Sequence, residues 1–238
     1  MNDYFRNKYY HELSVFTPEN LLREARRQKQ IDNCKIPDIC ILDPDGDLVE
    51  YLLGTNQAEL NKCWACYHTK LYSVKHKEFE FGVVGCAVGS SFAVLVSEEL
   101  FASGCQLLIS VTSAGIINPP KNNSRFILIE QTIRDEGTSC HYLPPEEEAS
   151  INKNLLAKLS KYYKVSPLSV ESGTSWTTDA PFRETPSAIE FAKNKNVICF
   201  AHLTNTMAQH EGDFEKGEEM GSLDTLELIY HTVRILLS

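Results

Sequence analysis

Apolar and polar positions change their period several times along the chain. Leu107 to Ile117 opens as a continuous run of strand-forming residues, then switches to Thr112, Ser113, Ala114 and Gly115. A short apolar run bounded by small residues is the pattern of a buried strand. Ile36–Leu42, Arg125–Ile133, Pro167–Glu171 and Val197–Leu203 read as further strands, and Lys70–Val84 alternates well enough for a hairpin. Other stretches repeat with a helical period. Pro18–Lys29 follows Thr17 as N-cap, has Pro18 at the first helical position and gathers basic residues at its end. Phe92–Ala102 places Phe92, Leu95, Val96, Leu100 and Phe101 at apolar spacing and is closed by Gly104. Glu146–Tyr163, introduced by prolines and acids, and Pro186–Lys195 are two more helices. In the last, Ser222–Leu237, the positions Leu223, Leu226, Ile229, Tyr230 and Val233 form the inner side. Strands alternating with helices, without internal repeats, predict an α/β layered domain.

Composition narrows this picture. The 238 residues are 42% hydrophobic, enough for one good-sized core. Residues 36–238 are expected to form a single domain behind an N-terminal helical extension, residues 1–35. A net charge of −9 and the lack of a basic face argue against a nucleic-acid partner. No apolar run has the length of a membrane span, and the first residues lack the apolar core of a signal peptide, so a cytoplasmic protein is expected. Of the eight cysteines, Cys86, Cys105 and Cys199 sit in apolar runs and read as small hydrophobes, and no disulfide framework is expected. Cys63 and Cys66, followed by His68 and His76, suggest zinc only weakly, because a lone CxxC lacks a second ligand pair. No metal is expected.

The candidate chemistry lies at strand ends and in the loops that follow them. Ser113, Ala114 and Gly115 can present backbone N–H groups to a ligand at the carboxyl end of a strand, although Ser-Ala-Gly is also ordinary turn chemistry. The turn Asp43-Pro44-Asp45-Gly46-Asp47 can cradle an anion through its backbone. Its three aspartates argue against an unassisted anion and serve equally as turn formers. Gly89-Ser90-Ser91 at a helix start is a plausible anion site, but it is neither a dinucleotide fingerprint nor a P-loop. Arg134, His141 and Tyr142 share a polar loop after a strand. Trp176, Asp179, Phe182 and Arg183 share another, a mix that can stack a base and bond its edge. That second loop is equally explained by an Arg–carboxylate pair holding it together. Gly212–Gly217 is a charged loop.

Several of these stretches together resemble the nucleoside phosphorylase superfamily, which includes uridine phosphorylase, hexameric purine nucleoside phosphorylase and methylthioadenosine nucleosidase. The resemblance runs from Ile36 onward. It rests on the Gly46-Asp47 turn, Ser113-Ala114-Gly115, the loop Arg134 to Ser139, the loop Thr178 to Arg183, and the strand end Thr204-Asn205. It implies a three-layer α/β/α fold around a distorted mixed sheet, assembled as a dimer, trimer or hexamer. It also implies pentosyl transfer: cleavage of a nucleoside's N-glycosidic bond through an oxocarbenium-like state, with inorganic phosphate as co-substrate and no other cofactor. By position, Gly46 would lie at the phosphate end, Ser113 would touch phosphate or a nucleophilic water, and Ala114 and Gly115 would line the base. Arg134 and Asp179 join these as binding residues. Phe182 and Arg183 would pack on and read the base. Asn205 falls where the purine enzymes place an aspartate, and an amide bonds a base without supplying a carboxylic proton, which leans toward an oxo-base.

The chain also departs from that pattern. Glu50 and Ser110 stand where phosphate-gripping arginines are usual. The family's Val-Glu-Met-Glu strand and its helix, which bind the ribose hydroxyls, have no counterpart between Lys195 and Val197; Glu190 echoes that motif only superficially. Beside phosphorolysis, two alternatives therefore stand: a hydrolytic nucleosidase, and a family member without turnover that acts as a binding or oligomer-forming protein.

Overall fold

The computed structural model describes residues 8–10, 12–122, 124–144, 148–179, 196–205 and 216–237, with the side chain of Asn205 left aside. Helix α1 (Pro18–Lys29) leads into β1 (Ile39–Asp43), α2 (Asp47–Gly54), β2 (Ala58–Leu60), β3 (Tyr72–His76) and β4 (Phe79–Gly85). Then come α3 (Ser90–Ala102), β5 (Leu107–Gly115), β6 (Phe126–Asp135), β7 (Ala149–Ser150) and α4 (Lys153–Tyr163). Strands β8 (Val170–Thr178) and β9 (Val197–Asn205) and helix α5 (Ser222–Leu237) complete the order. The described strands form one mixed sheet in the order β2-β3-β4-β1-β5-β9-β6-β7, with β8 paired to β6. β1 runs parallel to β4 and β5, β5 parallel to β9, and β6 antiparallel to β9.

Period-two alternation divides the sheet between two cores. Ile41, Ile109, Ile198, Phe200 and Leu128 pack against α2, α4 and α5 through Leu52, Leu159 and Ile229. Cys40, Leu42, Leu108, Cys199, Ala201 and Ile129 face the opposite way, into a core that also takes in Ala93, Val96 and Leu100 of α3. In that second core every described helical residue comes from α3. Helix α1 lies outside α3, burying Leu22 and Ala25 against Ala65.

Several boundaries differ from expectation. α1 has the predicted limits, with Thr17 accepting the Asn20 N–H as N-cap. β1 begins three residues late, after Pro37, which lacks the N–H a ladder needs. The helix expected from Glu146 starts only at Lys153. There the Asn152 side chain accepts the N–H groups of Asn154 and Leu155, while Ala149 and Ser150 pair with β6 instead. The strand expected to stop at Glu171 continues to Thr178 along β6. α2 carries no cap signal in its side chains and was not foreseen. On α5, Leu223 is exposed, and the inner side is completed by Ser222, Thr225 and Thr232. The Thr232 hydroxyl bonds the Leu228 carbonyl and the Tyr163 hydroxyl, which is how a polar residue is tolerated there. The helix expected over 186–195 lies outside the described residues.

The cysteine expectation is corrected as well. Cys34 and Cys63 form a disulfide, joining the segment after α1 to the loop between β2 and β3. The two are 29 residues apart, and α1 packing brings them together, a pairing that spacing alone does not reveal. Cys63 is therefore not a zinc ligand here. Among the described residues no helix is long and apolar enough to cross a membrane.

Candidate active site

β1, β5 and β9 run parallel, so their carboxyl ends, Asp43, Gly115 and Asn205, reach the same edge of the sheet. At the first of these ends the backbone must turn sharply. Gly46 has φ +86°, and a Cβ there would come within 2.6 Å of the Cys86 sulfur, so the position suits only glycine. The Asp43 carboxylate accepts the N–H of Gly46 at 3.2 Å and of Val49 at 3.0 Å, which ties the turn to the start of α2. Burial pushes the Asp43 carboxyl up to about 6; the Val49 and Gly46 N–H bonds oppose this, and Asp45 and Asp47 add to it.

The neighbouring acids are also engaged. Asp45 accepts the Ser113 backbone N–H at 2.8 Å. The largely buried Lys216 ammonium pairs with Asp47 and lies 3.7 Å from Asp45. Asp43, Asp45, Asp47, Ser113, His202 and Lys216 thus wall a polar cavity of about 20 Å³, room for a single water. His202 is stacked on Phe126 with ring centroids 5.0 Å apart, and burial lowers its pKa.

A larger cleft of about 450 Å³ adjoins the next residues of β5. Ala114 and Gly115 line it with Ile129, Ala201 and Leu203, and Trp176 of β8 contributes to its wall. The Trp176 indole N–H donates to Asp135 at 3.2 Å. Successive residues of one strand end therefore border both spaces: Ser113 the polar cavity, Ala114 the apolar cleft.

Other sequence candidates shape loops. The Arg134 guanidinium donates to the Ser139 hydroxyl at 2.9 Å and to the carbonyls of Pro144 at 2.6 Å and Leu143 at 3.0 Å. Asp179 accepts the Gly137 N–H at 2.8 Å. Both hold the segment after β6, where the Tyr142 hydroxyl also reaches Glu98. Ser110 is buried inside β5 and Glu50 is exposed on α2. Phe182, Arg183 and Glu190 lie outside the described residues, and only the backbone of Asn205 is described, at the end of β9 beside Gly115. His202, Lys216 and Asp135 were not foreseen. Their only sequence signals were a strand-end histidine, a charged loop and a loop acid, each of which has commoner explanations.

The model of the phosphorylase superfamily matches residues 38–200, and the chain belongs to that superfamily. Solved structures with the same fold include uridine phosphorylase from Vibrio fischeri ES114, at TM-score 0.67 and 16% identity over 87% of this chain and 95% of that one. Purine nucleoside phosphorylase from Toxoplasma gondii, in complex with immucillin-H, matches at TM-score 0.62 and 15% identity, covering 85% of this chain and 89% of the other. The 5′-methylthioadenosine/S-adenosyl homocysteine nucleosidase of Campylobacter jejuni matches at TM-score 0.62 and 15% identity, over 84% and 98%. No curated protein sequence matches significantly.

Proposed function

We propose that this chain cleaves the N-glycosidic bond of a nucleoside, with the base in the 450 Å³ cleft and the sugar over Ser113. The observation that carries the reading is the β5 end, where Ser113 borders a water-sized polar cavity and the next two residues, Ala114 and Gly115, border a cleft roomy enough for a base. Bond lengthening puts positive charge on the sugar, and the acids beyond Ser113 lie on the side where such charge is stabilised. Asn205 and Arg183, assigned by resemblance, would hydrogen-bond the departing base.

Phosphorolysis and hydrolysis make different demands on the small cavity. A phosphate needs free N–H donors and unpaired cations. Here the Gly46 and Ser113 N–H groups both point to carboxylates, and Lys216 is paired with two of them. This arrangement favours water as the attacking group, so hydrolysis leads and phosphorolysis is the second reading. The homo-oligomer implied by the resemblance and the cytoplasmic setting expected from the sequence belong to the same proposal. The test is release of free base from purified protein with and without phosphate. Equal release supports the first reading, strict phosphate dependence the second, and no release by folded protein leaves binding without turnover.

A further inference from the structure

We infer that Trp176, held by Asp135, is a specificity-determining residue that stacks on the base. The inference rests on the reading of the cleft given above and adds a residue to it.

Trp176 stands on β8 directly opposite Ile133 of β6, and both line the 450 Å³ cleft that Ala114 and Gly115 close at the β5 end. Ile133 is 57% exposed, so nothing in the described residues covers this part of the wall. An indole normally spends its N–H on a partner when it is ordered. Here that partner is Asp135 at 3.2 Å, on the same strand as Ile133 and two residues further on. The bond fixes the rotation of the ring and satisfies its one donor, which leaves the π-face as the part of the side chain free to meet a ligand. Ala114, Gly115, Ile129 and Leu203 give the wall an aliphatic part, while Asn118, Lys121, Glu171, Ser172, Thr174 and Ser175 supply polar groups along it. Glu171 pairs in register with Ile127, at the other end of β8 from Trp176 and Ile133, so the indole face is set apart from the charged part of the wall. That face suits a flat heteroaromatic ring, which stacks on indole whatever its edge pattern. Trp176 would thus select for the presence of a base, while donors elsewhere read its edge.

The chain contains two tryptophans, which makes the idea directly measurable. Trp64 is 5% exposed, lies in the loop after β2 and donates its indole N–H to Thr69, away from the cleft. In the Trp64→Phe variant all tryptophan emission comes from Trp176. Adenosine, inosine, uridine and free adenine are then titrated against the whole chain, with ribose as the base-free control. Saturable quenching by the nucleosides and adenine, and none by ribose, is expected. Trp176→Phe should keep affinity within a few fold, and Trp176→Ala should weaken it by about tenfold or more. Asp135→Asn should raise KM with little change in kcat. If Trp64→Phe does not fold, the difference between the parent and Trp176→Phe gives the same readout. Base release by a protein whose Trp176 emission ignores every nucleoside, or Trp176→Ala with unchanged affinity, would overturn the inference while leaving the proposed reaction intact. Quenching without base release would uphold the inference and remove the reaction instead.

Discussion

Asp43 shows how one side chain can both order a turn and strain the fold. Its carboxylate starts α2 by accepting two backbone N–H groups, yet burial holds its pKa at about 6 against an ordinary value of 3.8. A carboxyl with a raised folded-state pKa stabilises the native state below its unfolded pKa, and that contribution is lost as pH rises through the folded value. The cost above pH 6 is at most about 3 kcal/mol. The parent should therefore lose stability as pH rises from 5 to 7.5, and Asp43→Asn, whose amide NH2 must face one of the two N–H donors, should lack that slope and fall below the parent in Tm by more at pH 4 than at pH 7.5. A gap of equal size at both pH values would contradict this assignment. Gly46→Ala should cost about 1–3 kcal/mol, because its left-handed φ and the Cys86 sulfur both oppose a Cβ; denaturant unfolding measures it. The five residues Asp43 to Asp47 were legible in the sequence as a turn. Which partners its aspartates take was not, since Ser113 and Lys216 arrive from strands and loops far along the chain.

Among the elements, those with their own local signals were readable. α1 follows from Thr17, Pro18 and a basic last turn, all within one segment. α4 and β8 were misjudged at their ends because pairing with β6 decides them, and a two-residue strand such as Ala149–Ser150 has no sequence period of its own. The disulfide belongs to this scale too, since it clips α1 and the following segment to the β2–β3 loop. Lys29 reinforces the clip by donating to the carbonyls of Ala65 and Cys66 at 3.0 and 2.6 Å. Reduction, or a Cys34→Ser and Cys63→Ser double variant, should lower stability by about 2–4 kcal/mol. The same treatment should make α1 the first region to gain hydrogen exchange. Uniform gain across the sheet would show instead that α1 and the sheet unfold as one unit.

For the whole molecule, the mixed sheet and its two cores follow from runs such as Leu107–Val111 and Val197–Ala201, in which both faces are apolar. That pattern made the α/β class legible. Among the described residues α3 is the only helix contributing to the core on its side of the sheet, and the large cleft opens beside Ala201, Ile129 and β8. On the proposed reading the base takes the cleft beside Ala114 and Gly115, and the attacking water the cavity beside Asp43, Asp45 and Asp47. On that reading the chain cleaves a glycosidic bond with water. Chromatographic measurement of free base released from adenosine, inosine and uridine, in phosphate-free buffer and in added phosphate, tests it most directly. Release from at least one nucleoside is expected at the same rate in both buffers, with free pentose as co-product. Release only when phosphate is present, yielding pentose 1-phosphate, or no release by a folded protein, would contradict it.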